Sequence, residues 1–545
     1  MRKPNREKTM GACLLPFFWI GFLTAAELPE PAEPISGSLV ICGGGQLPER
    51  IQRRFVQLAG GDKARIVVIP TAAAGADSGD GETALKSWKS LGAAAVTRLH
   101  TRDRAMADTD EFVAPLLEAT GVWIEGGQQT RLAEAYLGTA AEQALKDVLG
   151  RGGVVGGTSA GAAVMSGVMI ESGNPRPLIG RGFGLLPGAI VDQHFLKRNR
   201  VARLFDALSK YPGLVGLGVD EGTALVVRGR ELTVIGESYV VVCLPASESR
   251  TIRFDVMRDG ARADLVALSR AAIARAKLPH PRPSPPAPHV EHGTLVIVGG
   301  WIPDVAIERF VDAAGGPEAP IAVIPTALGG ENPVDRRMER RLRRAGAENI
   351  RSLHAANRHE ASRAEFLAAL SKVRGIWFSG GRQWRLVDAY LDTPAQQAMH
   401  DVLARGGAIG GSSAGATIQA SYLVRGNPLG NREMMAEGYE RGLGFLEGVA
   451  IDQHFAQRNR YADMTLLKRT HPQLLGLGID EQTAAIVRGH VMEVVGEHGV
   501  AVYDAAEPAV DGQRDYRLLA DGDRYDLHSR RPDAPNERPT HRRRD

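Results

Sequence analysis

Cysteine is almost missing from this sequence, with three in 545 residues. That excludes a disulfide framework. Cys42 and Cys243 sit in the apolar runs SLVICGGG and SYVVVCLP and read as small buried residues. Charge of one sign is missing too. The net charge is +3, so composition gives no support to a nucleic-acid partner. The run ACLLPFFWIGFLTAA, residues 12–26, falls short of the roughly 20 residues a spanning helix needs. No spacing of His, Cys, Asp or Glu points to a metal site, and no P-loop is present. CGGGQLP lacks the G-x-G-x-x-G frame, so no cofactor is expected. What is there is 43% apolar and 24% charged, a globular chain long enough for two cores.

Both ends stand apart. Arg2, Lys3, Arg6 and Lys8 precede the apolar run, and Thr24-Ala25-Ala26 closes it with small residues. Residues 1–26 therefore read as a signal peptide, which implies a secreted or periplasmic protein with no stable membrane anchor. An uncleaved anchor is the rival reading. Residues 529–545, SRRPDAPNERPTHRRRD, read as a disordered Arg-rich tail.

Between the ends the sequence repeats itself. SLVICGGG returns as TLVIVGGW, GVWIEGGQQTRL as GIWFSGGRQWRL, and GGTSAGAAVM as GGSSAGATIQ. VDQHFLKRNR returns as IDQHFAQRNR, and GLGVDEGTALVVRG as GLGIDEQTAAIVRG. The period is far too long for a solenoid, so this is a duplicated domain. Copy one spans 27–276 and copy two 291–528. The Pro-rich stretch 277–290 between them is expected to be an extended spacer. Short Val/Ile runs (39–42, 66–69, 122–124, 154–156, 189–191) alternate with amphipathic stretches. The expected fold is α/β: two tandem domains, each a mainly parallel sheet with helices on both faces. Sites in such folds gather at the carboxyl ends of strands.

Gly157-Thr158-Ser159-Ala160-Gly161 is a G-x-S-x-G between an apolar run and a helix-like stretch. That is the setting of a nucleophile elbow, and the turn needs small neighbours at both ±2 positions. A Gly-rich turn with an N-capping Ser is the plain alternative, and the second occurrence at Ser413 weighs against it. A serine needs a base, and His194 and His454 lie in the strongest repeated block. Glu221 and Glu481 each stand 27 positions after the His and could orient it. Asp192, Asp220, Asp452 and Asp480 are competing acids. Glu171 is set aside, because Arg425 holds its place in copy two. The order Ser, His, acid is not that of the α/β-hydrolases.

The Ala160 and Ala414 amides and those of Gly127 and Gly381 are candidate oxyanion donors. Gln129 and Gln383 are candidate substrate ligands, with helix capping as the alternative. Arg198, Arg200 and Arg203 suit a substrate bearing carboxylates, although a solvated helix face is the usual fate of such charges. Copy two keeps Arg458 and Arg460 but has Asp463 where copy one has Arg203, so the two pockets should differ.

In combination these blocks resemble the cyanophycinase and peptidase E family across nearly all of each copy. The resemblance implies a flavodoxin-like fold and a serine exopeptidase with the triads Ser159–His194–Glu221 and Ser413–His454–Glu481. It implies substrate-site roles for Gln129, Asp192, Gln193, Arg198, Arg200 and Arg203, and at matching positions for Gln383, Asp452, Gln453, Arg458 and Arg460. The implied substrate is cyanophycin, a poly-aspartate bearing arginine on its side chains, released as β-Asp-Arg. On this view the Arg cluster holds backbone carboxylates and Asp192 the arginyl group. The family's homodimer implies that the two copies pair with each other. An aspartyl or isoaspartyl dipeptidase, or a binding protein with one or both sites inactive, are the alternatives.

Overall fold

The computed structural model describes residues 28–78, 82–507 and 514–533. The leader falls outside the described residues, as does the tail from 534 onward. No helix among the described residues is long and apolar enough to cross a membrane.

Each Val/Ile run becomes a strand at the centre of its copy. In copy one five parallel strands lie in the spatial order Ala95–Arg98, Arg65–Ile69, Gly121–Ile124, Val154–Thr158, Ile35–Cys42. Period-two alternation sends their side chains to two different cores. Leu39, Ile41, Val67 and Ile69 face one, and Val40, Cys42, Ile66 and Val68 face the other. The inner strands are covered on both faces and read as continuous apolar runs, whereas the edge strand Ala95–Arg98 carries Thr97 and Arg98 and is only partly buried. Cys42 and Cys243 are free and buried. Burial pushes the thiol of Cys42 far above its usual range, so it is an inert packing residue.

Two features depart from a simple parallel sheet. Three strands, Thr223–Gly229, Glu231–Gly236 and Arg262–Asp264, extend it antiparallel beyond Ile35–Cys42. Ala189–Gln193 does not join this sheet. It heads a separate one with Val215–Val219, Val240–Leu244 and Arg253–Met257. Copy two repeats the plan, with a parallel core of Ile350–Ser352, Ile321–Ile324, Gly375–Phe378, Ala408–Ser412 and Val290–Val298. Its second sheet contains Leu446–Gln453 and Leu475–Ile479.

The stretch 277–289 forms neither helix nor strand, but it is no free spacer. His280 stacks on Tyr422 with centroids 5.8 Å apart, and its Nε2 lies 3.1 Å from the Glu440 carbonyl. The tail also begins later than expected. Arg531–Pro532 pairs with Arg524–Asp526, and Arg530 donates to the buried carboxylate of Asp504 at 2.8 Å.

The copies meet within one chain through unlike surfaces. Copy one offers arginines: Arg230 and Arg270 both reach Asp388 at 2.8 Å, and Arg275 reaches Glu437 at 2.6 Å. Arg230 also lies over the Trp384 ring at 4.1 Å. His490, the copy-two counterpart of Arg230, stays near Asp526 of its own copy. The contact is therefore heterologous, unlike the two identical faces of a homodimer.

Candidate active site

Both elbows are built by glycines. Ser159 has φ 52° and ψ −108°, and Ser413 has φ 56° and ψ −113°. Each begins a short helix directly after a strand of the parallel core, at its carboxyl end. A Cβ at Gly157 would stand 2.6 Å from the Gly161 carbonyl oxygen, and one at Gly161 would stand 2.2 Å from that of Ile124. Only glycine fits at either place, so the serine is held in a conformation that L-residues avoid. The Ser159 N–H donates to the Cys42 carbonyl at 3.1 Å, tying the elbow to the neighbouring strand.

The second sheet brings the base. His194 follows Ala189–Gln193 and takes a left-handed φ of 48°, and its N–H donates to Gly43 at 2.7 Å. The ring fits because Gly44 has no side chain: a Cβ there would lie 2.3 Å from His194 Cε1. His194 Nε2 lies 2.9 Å from Ser159 Oγ, and its Nδ1 lies 2.7 Å from Glu221 Oε1. Copy two repeats this, with His454 Nε2 2.9 Å from Ser413 Oγ and Nδ1 2.6 Å from Glu481 Oε1. Burial lowers the pKa of both imidazoles, against the opposing pull of the glutamate hydrogen bond.

The competing acids are engaged elsewhere. Asp220 accepts from the Leu196 and Lys197 amides at 3.1 and 2.9 Å and from Ser238 Oγ at 2.6 Å. Asp480 accepts from the Ala456 amide at 2.8 Å. These aspartates hold the turn that carries the histidine.

A cavity of about 380 Å³ opens on Ser159 and His194. Gly127, with φ 144°, lines it, and a Cβ there would sit 2.1 Å from the Ala72 carbonyl oxygen. Gly381 has φ 138° and the same clash with Ala327. Ala160 and Ala414 are the first residues of their helices, where an N–H has no intrahelical acceptor. Gln129 lines the cavity, but its amide nitrogen donates to the Ile170 and Glu171 carbonyls at 2.8 and 2.7 Å. Gln383 likewise donates to Val424 at 3.0 Å. Their amide nitrogens fasten the segment after the elbow, the strand Val168–Ser172 in copy one and Val424 in copy two, rather than wait for substrate. Gln193 and Gln453 are buried, and the Oε1 of each has no donor.

The arginines divide into two kinds. Arg198 and Arg458 are exposed, and Arg198 lines the cavity. Arg200 lines it as well, donating to the Gln193 carbonyl at 2.6 Å, and burial lowers its pKa to about 10. Arg203 and Asp192 correct the sequence-based expectation. Asp192 is fully buried, and Arg203 grips it with Nε at 2.8 Å and with Nη2, while Nη1 donates to Gly173. The pair is spent on itself, so Asp192 is not open to an arginyl group.

Copy two makes the same contact from a different position in the chain. Asp463 stands at the place of Arg203, yet Asp452 keeps a guanidinium. Arg425 supplies it, with Nε at 2.9 Å from Oδ1 and Nη2 at 2.7 Å from Oδ2, and the same Nη2 reaches Asp463 at 2.7 Å. Arg460 adds a contact to Asp452 at 2.7 Å. The acid and base have exchanged positions: Glu171 and Arg203 in copy one, Arg425 and Asp463 in copy two. Sequence reasoning set Glu171 aside for that exchange, and it does not touch the histidine, but it lines the copy-one cavity.

The model of Peptidase family S51 matches residues 39–235 and again residues 303–495. The chain is similar to a cyanophycinase from Synechococcus elongatus, 37% identical over 227 residues, covering 39% of this chain and 70% of that protein. It is similar to one from Geminocystis herdmanii at 34% over 220 residues (38% and 80%), and to one from a Nostoc species at 36% over 237 (41% and 79%). Among solved structures, a peptidase from an acI-B1 Actinobacterium is 24% identical with a TM-score of 0.35, covering 44% of this chain and 98% of that one. A putative peptidase E from Listeria monocytogenes is 18% identical with a TM-score of 0.30, covering 38% and 98%.

Proposed function

The chain belongs to Peptidase family S51 and is a peptidase; from that premise we propose that it is an exported serine exopeptidase that degrades cyanophycin to β-Asp-Arg. The observation that carries this reading is the unbroken relay from Ser to His to Glu, at 2.9 and 2.7 Å in copy one and 2.9 and 2.6 Å in copy two. Similarity to the cyanophycinases supports the substrate, and the leader supports export.

Each atom of the relay has a task. Ser159 Oγ attacks the scissile carbonyl while His194 Nε2 takes its proton. Glu221 accepts the Nδ1–H, which fixes the tautomer and stabilises the imidazolium. The amides of Gly127 and Ala160 receive the oxyanion, an interaction worth about 2.7–4 kcal/mol per donor. The imidazolium then gives its proton to the leaving amine, and water repeats the sequence on the acyl-enzyme. Burial of the imidazole keeps it neutral, hence basic, at neutral pH. Arg198 and Arg200 bind substrate carboxylates, while Arg203 and Asp192 brace the strand beneath them.

The test is to incubate the purified chain with insoluble cyanophycin and measure β-Asp-Arg release. The reading expects release that disappears in Ser159→Ala/Ser413→Ala. No release by the wild type, with hydrolysis of small β-aspartyl peptides, would replace it by a dipeptidase.

A further inference from the structure

Glu171 lines the copy-one cavity, and among the described residues no cation is paired with its carboxylate. It lies on the strand Val168–Ser172, half-buried, and lines the same space as Ser159 and Arg198. Among the described residues no hydrogen bond or ion pair reaches its carboxylate, whereas nearly every other acid around the site is engaged. The carboxylate lies across Gly180 of the neighbouring strand Leu178–Arg181, where a Cβ would stand 1.9 Å from Glu171 Oε1. The buried Oε1 of Gln193, also on the cavity wall, is a second acceptor without a donor. A buried acceptor left unmade is costly, and a ligand bearing several N–H groups would satisfy it. Arg198 and Arg200 make another part of the cavity cationic. The space therefore fits a substrate that carries both a carboxylate and a cation.

Copy two lacks this acceptor. Arg425 replaces Glu171 and is itself consumed by Asp452, by Asp463 and by the carbonyls of Asn431 and Arg432. The acid that moved to Asp463 is already neutralised by Arg425. The charge count of the two sites is similar, but among the described residues Glu171 is unpaired in copy one whereas Asp463 is held by Arg425 in copy two.

We propose that Glu171 is a specificity determinant that binds a cationic group of the substrate in copy one, and that copy two has no such preference. This rests on the reading of the site as a peptidase centre. Two sources offer that cation: an arginyl side chain or the free amino terminus of the peptide.

The experiment uses the full chain with Ser413→Ala, so that only copy one turns over. The substrates are aspartyl oligomers carrying arginine, or its neutral isostere citrulline, on each side chain, with free or acetylated amino termini. The wild-type site should favour arginine over citrulline, or free over acetylated ends. Glu171→Gln should erase that preference by raising KM roughly 10- to 100-fold for the cationic substrate. kcat should change less than KM, and the neutral substrate should be cleaved as before. Glu171→Asp should restore part of the preference. The chain with Ser159→Ala, working through copy two, should discriminate little. An arginine-to-citrulline and free-to-acetylated ratio unchanged by Glu171→Gln would overturn the proposal. If the wild type cleaves neither oligomer, the cyanophycin reading fails by itself. Glu171 is then judged on a mixed peptide library, where an excess of cationic residues among the cleaved peptides must vanish in Glu171→Gln. No excess, or one that survives, overturns it.

Discussion

At Asp192 the partner guanidinium arrives from the helix that follows the base, through Arg203; at Asp452 it arrives from the loop that precedes the base, through Arg425. Both arginines are nearly fully buried, with side chains 4% and 3% exposed. The two copies thus keep one contact in space while the sequence positions that make it have changed. The contact holds the strand that leads into His194 or His454, and a buried carboxylate cannot stay charged there without a partner. A position that must be satisfied is satisfied from whichever neighbouring segment can reach it. The arginines Arg198 and Arg200 recur as Arg458 and Arg460, and the copies diverge where Glu171 lines the cavity of copy one and Arg425 takes its place in copy two.

The comparison can be broken most directly at the nucleophiles. Ser159→Ala with Ser413→Ala should lower peptide hydrolysis by at least about 10⁴-fold, measured as initial rate on the best substrate. Each single substitution should leave the other copy working. Next in size is the buried pair. Arg203→Ala removes the short guanidinium contacts to buried Asp192 and should cost about 3–5 kcal/mol in denaturant unfolding of copy one, and Arg425→Ala should cost copy two less, because Arg460 still reaches Asp452 at 2.7 Å. The exchange itself can be transplanted. Arg203→Asp should destabilise copy one, and adding Glu171→Arg should recover about 1–3 kcal/mol if the two positions couple as Arg425 and Asp463 do. Additive effects would contradict the exchange. Asp463→Ala should matter least, under about 1 kcal/mol, because its side chain is 43% exposed and screened by solvent.

The pH profiles should hardly distinguish the copies. Both histidines have pKa values lowered by burial, and each must be neutral to accept the serine proton. Activity is therefore present above the folded-state pKa and is lost as pH falls through it. The acid limb of kcat/KM should have its midpoint below about 6.5 in Ser159→Ala and in Ser413→Ala alike. A midpoint above that value in either would mean that the glutamate outweighs burial.

The Ser–His–Glu arrangement was legible because it is local in kind and repeated. Glycines at ±2 of the serine mark the elbow, and the histidine and glutamate recur at matched places. Spacing alone left Asp220 open beside Glu221, since adjacent residues on a turn point to opposite sides; the family resemblance named Glu221, and in the structure it is Glu221 that meets the ring, at 2.7 Å. The second sheet was hidden for a related reason. Ala189–Gln193 has the pattern of a buried parallel strand, and periodicity says that a strand is buried without naming its partner. Arg425 was not legible as the partner of Asp452, because a position-by-position comparison counts Asp463 as a lost arginine, whereas the replacement lies 38 positions earlier in the chain. The interface between the copies drew on residues, such as Arg230 and Asp388, that look in sequence like ordinary surface charges.

The central claim is that one chain carries two complete serine peptidase centres with different surroundings. Hydrolysis of a mixed panel of arginyl and neutral aspartyl peptides by Ser159→Ala and by Ser413→Ala tests it most directly. The account predicts that each variant retains activity, that their substrate preferences differ, and that the double variant retains none. Loss of all hydrolysis on changing either serine alone, or identical preferences in the two single variants, would contradict it.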